Sequence, residues 1–308
     1  MDNSTPKPSP MNPSRRASPE GCARVRYGNK IIFNSQFDKE RGVLMQEVQK
    51  ESLIYLRAET IEAPHCFTTR LGGVSKGYLS SMNLGYHRGD DPENVEKNYE
   101  ILAKAIGFST QRMVLSNQIH SDIVRTVGPE DARGLDHRAY PECDALITNT
   151  PGVALVVFTA DCTPILLYDP VTGAVGAVHA GWRGTAAGIA EKTVEKMQIE
   201  FGCHPENIRA AIGPNIARCC FETDAEVPAA MEKLLADAAK DCIESRGNKF
   251  YVNLKEINAR VLRRAGVEQI EVSDACTMCQ PDRFWSHRVT GGNRGSQGAV
   301  IVCKEADG

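Results

Sequence analysis

Three residues in this chain have side chains that could work as one reaction centre: His120, Cys162 and His179. Cys162 closes an apolar run, Val153 to Phe158 followed by Thr159-Ala160-Asp161, and His179 closes another, Ala174 to Val178. Two imidazoles and a thiolate form a mixed nitrogen and sulfur donor set that suits Zn²⁺ and leaves a fourth position open, the pattern of catalytic rather than structural zinc. The same set describes a blue-copper centre, but that usually adds an axial methionine, and no methionine lies between residues 114 and 196. A thiol beside an imidazole is also enough for a cysteine nucleophile activated by His179. The remaining reading is a metal-free core with one buried thiol and two hydrogen-bonded histidines. Spacing leaves these alternatives open.

The elements around the three residues follow from local pattern. Val153 to Phe158 is rich in β-branched residues and reads as a buried strand. Pro164 is expected to break the run, Ile165 to Tyr168 to resume it, and Asp169-Pro170-Val171-Thr172-Gly173 to turn the chain back. Such a hairpin brings Cys162 near His179. Gly181-Trp182-Arg183-Gly184 then bends into a helix expected from Thr185 to Phe201, with Met197 in the core rather than on a metal. Upstream, Ser116 to Val124 reads as a strand with Gln118, His120 and Asp122 on one face.

Length and composition permit a large core: 308 residues, 42% hydrophobic and 24% charged. The net charge of −3, from 36 basic and 39 acidic residues, provides no global field for nucleic acid or an anionic membrane. Anion binding must be local. Residues 1–28 are polar and rich in proline and serine, read as a disordered tail rather than a signal peptide or membrane span, with one domain over 29–308. Eleven cysteines in so long a chain fit free thiols in a reducing cytoplasm better than a disulfide framework.

Short runs over residues 29 to 63 read as an edge sheet. A helix is expected after Asp91-Pro92, capped by Asp91 and closed by Gly107. Further helices are expected over residues 224–245 and from Leu254 to Gly266. Cys219-Cys220 and the Cys276-x-x-Cys279 pair read as structural thiols, since one C-x-x-C is weak evidence for zinc. The Gly-rich loop Gly291 to Ser296 could hold an anion. Strands and helices alternate throughout, so the class is α/β, one compact domain with mixed sheets flanked by helices.

The ordered set FTTRLGG (67–73), SMNLG (81–85), NQIHSDIV (117–124), TADCTPILLYDP (159–170), AVHAGWRGT (177–185), IGPNI (212–216) with CCFE (219–222), and CTMC (276–279) with FWSHR (284–288) resembles the laccase-domain family. Members have been described as polyphenol oxidases, peptidoglycan-editing factors and purine nucleoside phosphorylases. The resemblance implies a layered α/β/β/α domain and a metal site at His120, Cys162 and His179, with zinc expected and copper the alternative. It implies phosphorolysis of adenosine, inosine, guanosine and methylthioadenosine, plus deamination of adenosine to inosine. Purine nucleosides and phosphate are the expected partners. Asp161 stands in for the glutamate proton shuttle of zinc deaminases; Arg183, then Arg70 and Arg288, are the expected phosphate holders, with Asn83 as a further substrate contact. The alternatives are a copper-dependent polyphenol oxidoreductase and a cysteine hydrolase that edits peptidoglycan precursors. Seven histidines, two of them in the site, are too few for a multicopper laccase. Family members read T-G-R before the last strand, whereas this chain has Arg294-Gly295-Ser296. Arg294 could supply that guanidinium from a shifted position, and Ser296 is left outside the expected site.

Overall fold

The computed structural model describes residues 45–135 and 140–304, together with a short hairpin of β1 (Val25–Tyr27) and β2 (Lys30–Ile32). The tail expected over 1–28 otherwise lies outside the described residues. In chain order the further strands are β3 (Gln46–Lys50), β4 (Leu53–Arg57), β5 (His65–Thr68), β6 (Met113–Leu115), β7 (Val124–Thr126), β8 (Ala145–Thr148), β9 (Ala154–Thr159), β10 (Thr163–Tyr168), β11 (Val175–Ala180), β12 (Arg209–Ile212), β13 (Glu222–Thr223), β14 (Ile243–Arg246), β15 (Lys249–Val252), β16 (Gln269–Val272) and β17 (Gln297–Val302). The helices are α1 (Pro92–Ile106), α2 (Trp182–Ala186), α3 (Ile189–Phe201), α4 (Glu226–Leu235), α5 (Leu254–Arg264) and α6 (His287–Thr290).

Two six-stranded mixed sheets form the body, one in the order β3-β4-β5-β17-β9-β6 and the other β16-β12-β10-β11-β8-β7. They stack through Leu155 and Val157 on one side and Leu146, Leu166 and Ala177 on the other. The far face of the second sheet carries Ile165, Leu167 and Val178 against α3 and α5, and α1 covers the first sheet. Burial on both faces explains why β9, β10 and β11 are near-continuous apolar runs. A third, smaller core lies under the β13-β15-β14 sheet and α4.

Local signals place several elements well. Asp91 accepts the Glu93 N–H at the start of α1, and Gly107 ends it in the left-handed region. Met197 is buried in the second core, and the 46–57 hairpin forms a sheet edge. Four expectations change. Pro164 lies inside β10, paired with His179, because β12 joins only from Ile165 and the missing N–H breaks no ladder bond there. The expected 185–201 helix starts at Trp182 and is divided at Gly188, which has φ +77°. The expected 224–245 helix stops at Leu235, continues as a 3₁₀ turn and gives way to β14. Residues 116–123 form a loop rather than a strand, with strand structure only from Val124.

Candidate active site

Cys162 lies where the chain passes from one sheet to the other. β9 ends at Thr159 in the first sheet, and β10 begins at Thr163 in the second. The link Ala160-Asp161-Cys162 turns sharply, with Asp161 at φ +87°, a costly conformation for a residue with a Cβ. Three bonds hold it there. The Asp161 carbonyl accepts the Ile216 N–H at 3.0 Å, and its carboxylate accepts Thr277 Oγ1–H at 2.6 Å and the Arg288 N–H at 2.7 Å. Asp161 is therefore committed to bracing the turn.

His179 is next to last in β11 and buried. Its Nδ1 bonds Asp144 Oδ1 at 2.7 Å, which leaves Nε2 for the thiol side. His120 sits in the loop before β7 at φ +61°, and its Nε2 is 3.8 Å from Cys162 Sγ. The two imidazoles meet edge to face with centroids 4.9 Å apart. Gly181 makes room, because a Cβ there would come within 2.7 Å of the His120 ring. The donor atoms of His120, Cys162 and His179 all lie within 4.8 Å of one another.

Asp144 organises both histidines. Beyond His179, its carboxylate accepts backbone N–H groups of Ile119, His120 and Ser121 at 3.3, 3.0 and 2.6 Å, and Ser121 Oγ–H at 2.7 Å. One buried carboxylate thus fixes the orientation of one imidazole and the loop that carries the other. Gln118 pins the same loop to the end of β9, donating to the Phe158 carbonyl and accepting its N–H. Burial opposes ionisation of Cys162, but His179 and His120 outweigh it and lower the thiol to about 6. Burial likewise works against a charged His179, yet Cys162 and Asp144 raise it to about 9. For Asp144, burial is overcome by the bonds from His179 and Ser121, which bring the carboxyl down to about 2. These shifts favour a thiolate, an imidazolium and a carboxylate in series, and His120, Cys162 and His179 form a donor set that could hold a metal ion.

A cavity of about 230 Å³ opens onto this centre. Its walls include Tyr86, Tyr140 and Phe158, and its basic groups are Arg88 and Arg294 with His87. Arg294 donates to Ser296 Oγ at 3.3 Å and to the Gly295 carbonyl at 2.9 Å, while its Nε is buried without a partner. Burial, with Arg88 close by, lowers Arg294 to about 10.

The other expected substrate residues lie elsewhere. Arg183 stacks on Trp182 beside a separate shallow groove. Arg70 covers Trp285 and donates to the carbonyls of Ser80 and Pro281. Arg288 donates to the Glu222 carbonyl. Asn83 orders neighbouring loops, donating to Asp90 and accepting from the Gly85 and Ser296 N–H groups. None of these four lines the cavity, whereas Ser296 does. Asp122 pairs with Lys192 on α3, away from His120. Sequence reasoning passed over Asp144, Arg88, Tyr86, Tyr140 and Phe158. The available signals were an aspartate directly ahead of the apolar Ala145-Leu146-Ile147 run and a basic pair, His87-Arg88, in the loop after SMNLG.

Residues 64–304 match the family model described as multi-copper polyphenol oxidoreductase laccase. The chain belongs to that laccase-like family. A Deinococcus radiodurans protein named purine nucleoside phosphorylase is 39% identical over 254 residues, 82% of this chain and 94% of that protein. The Bacillus subtilis purine nucleoside phosphorylase YlmD is 36% identical over 246 residues, 78% of this chain and 88% of its relative. Among solved structures of the family, YlmD from Geobacillus stearothermophilus superposes with a TM-score of 0.80 at 35% identity, covering 85% of this chain and 99% of that one. The relatives' names support an enzyme that handles purine nucleosides.

Proposed function

We propose that the chain is a zinc-dependent purine nucleoside phosphorylase, acting on adenosine, inosine, guanosine and methylthioadenosine. The observation that carries this reading is a cavity that joins a three-donor metal set to two guanidinium groups and aromatic walls. The donor set fits the ion: each atom is of a type zinc prefers, the thiol is already inclined to ionise, and Asp144 supplies the outer carboxylate that metal-binding histidines usually carry. Zinc held by His120, Cys162 and His179 would supply Lewis-acid chemistry toward an oxygen nucleophile or leaving group.

The chain's own groups divide the remaining work. Arg88 and Arg294 hold phosphate through charge-assisted bonds. Tyr86, Tyr140 and Phe158 present apolar faces to the purine. Phosphate oxygen attacks the anomeric carbon as the bond to the purine nitrogen breaks, through an oxocarbenium-like transition state. The bond pair leaves with the base, which takes up a proton to become the free purine.

Deamination of adenosine to inosine is a second reaction we propose for the same cavity. Asp161 cannot serve as its proton shuttle, because both carboxylate oxygens are already engaged, and no glutamate lines the cavity. That chemistry therefore falls to His87 or to water. Copper is disfavoured as the resident metal: no methionine lines the cavity, and His65 and His204, which make their own contacts, do not line it either. A peptidoglycan-editing hydrolase would use Cys162 as a nucleophile, and metal binding competes for that thiolate. We place the reaction in the cytoplasm, consistent with ten described cysteines that form no disulfide. Among the described residues no helix is long and apolar enough to cross a membrane.

Pure protein with verified zinc should convert inosine and phosphate to hypoxanthine and ribose 1-phosphate. If hypoxanthine does not form and adenosine is also untouched, the proposal fails. If copper-loaded protein oxidises phenols and zinc-loaded protein leaves nucleosides intact, the oxidoreductase reading takes its place.

A further inference from the structure

The fold brings together two cysteine pairs that are 56 or more residues apart in sequence: Cys219 and Cys220 after β12, and Cys276 and Cys279 after β16. All four sulfurs lie within 4.8 Å of one another. Cys219 Sγ is 3.6 Å from both Cys220 Sγ and Cys279 Sγ, and Cys220 Sγ is 3.3 Å from Cys279 Sγ. A tetrahedral zinc ion with Zn–S bonds of about 2.3 Å holds its sulfurs roughly 3.8 Å apart, whereas a disulfide requires about 2.05 Å. Two pairs of thiols converging from different loops therefore match a closed four-sulfur cage. We propose that Cys219, Cys220, Cys276 and Cys279 bind a structural zinc ion, separate from the His120, Cys162 and His179 set.

Three surrounding features support this. First, four thiolates around Zn²⁺ leave a net double negative charge that needs nearby compensation. Lys255 supplies a buried cation: its Nζ donates to the Ser273 and Ala275 carbonyls at 2.7 Å each, in the loop that carries Cys276, and its charge interacts with Cys276, Cys219 and Cys279. The Ala217 N–H also points at Cys276 Sγ, 3.4 Å away, the outer-shell bond that thiolate ligands commonly accept. Second, the cluster borders the smallest core, built around Ile216, Val227, Met231 and Ile257. A core of that size gains most from a metal staple. Third, the two loops it would tie are the ones that grip Asp161. Ile216 donates to its carbonyl, and Thr277, which follows Cys276, donates to its carboxylate. Locking these loops together would stiffen the turn that presents Cys162. The ion would act as a brace with no open position for substrate.

The test removes the other site and asks what metal remains. The His120→Ala, Cys162→Ser protein, expressed with zinc, should retain about one zinc per chain, and X-ray absorption should show a shell of about four sulfurs near 2.3 Å. Adding Cys276→Ser and Cys279→Ser should abolish that zinc and lower the unfolding temperature. The spectrum needs no change in the cluster, so the proposal remains testable even if the quadruple variant fails to fold. A zinc-free double variant, a shell of nitrogen and oxygen, iron in place of zinc, or a disulfide found among the four thiols would each overturn it. Because Cys162 is already replaced, the outcome does not depend on the phosphorylase reading.

Discussion

Replacing Asp144 by asparagine should disconnect both histidines of the proposed metal site through a single atom. The carboxylate accepts five hydrogen bonds, two on Oδ1 from His179 and the His120 N–H, and three on Oδ2 from Ile119, Ser121 N–H and Ser121 Oγ–H. An amide must place its NH₂ at one of these two positions. At the Oδ2 position it faces two backbone donors, neither of which can be satisfied. At the Oδ1 position it donates to His179 Nδ1, forcing the tautomer whose proton sits on Nε2, the nitrogen needed as a ligand, and still faces the His120 N–H. Either way at least one buried donor is orphaned, at about 1–3 kcal/mol each, and loss of the buried charge partner of His179 adds to this. We expect a stability loss of about 3 kcal/mol and a 10- to 100-fold loss of zinc affinity. Urea unfolding of metal-free protein measures the first, and competition with a chelator of known affinity measures the second. Unchanged zinc affinity in a folded Asp144→Asn protein would refute the orienting role, whatever happens to stability.

Three further outcomes are expected. Arg88→Ala and Arg294→Ala should each lower kcat/KM for phosphate by about 10- to 100-fold, the worth of a charge-assisted bond, while Arg183→Ala stays within about twofold; steady-state kinetics with varied phosphate decides, and the reverse pattern would move the anion site to the Trp182 groove. In metal-free protein, alkylation of Cys162 should rise with pH through about 6 and be suppressed by zinc, as read by mass spectrometry; a midpoint near the ordinary thiol value of about 8.5 would argue against the thiolate–imidazolium pair. His65 is buried, accepts the Ala58 N–H and bonds the Ala63 carbonyl, and burial lowers it to about 4. The unfolded chain takes up this proton from about pH 6.5 downward, so the contribution is complete above that pH and is lost as pH falls toward 4, by up to about 3 kcal/mol. Urea unfolding at pH 7 and 4.5 should show a smaller pH effect in His65→Gln than in the parent, and parallel curves would contradict the neutral buried imidazole.

The loop from Gly291 to Ser296 shows how far a motif reading extends. The guanidinium of Arg294 comes back across Ser296 to donate to the serine hydroxyl. The order Arg294-Gly295-Ser296 was visible in the sequence, but the path of the Arg294 side chain is one that no spacing rule describes. The same limit applies to Arg183, which adjoins His179 in the motif yet points along α2 onto Trp182. A residue that starts a helix after a buried strand points by helix geometry, not toward the strand's last side chain.

What the sequence determined by itself was the local and the chemically rare: the α/β alternation, the Asp91 cap and Gly107 stop of α1, the β10–β11 hairpin that brings His179 to Cys162, and the choice of the three side chains that the fold then gathers. Each of these rests on interactions between residues close in the chain, or on residue types with few alternative uses. The tertiary structure decided which distant groups meet. Asp144 reaches both histidines because β8 pairs with β11 and β7 pairs with β8, and the four cysteines converge because β12 lies beside β16. Strand order in a sheet is set by packing of whole apolar faces, which no short window of sequence contains. For that reason the three candidate residues could be read from the chain, while the carboxylate that binds His179 and the His120 loop, the arginines that line the cavity and the convergence of the four cysteines became visible only in the fold.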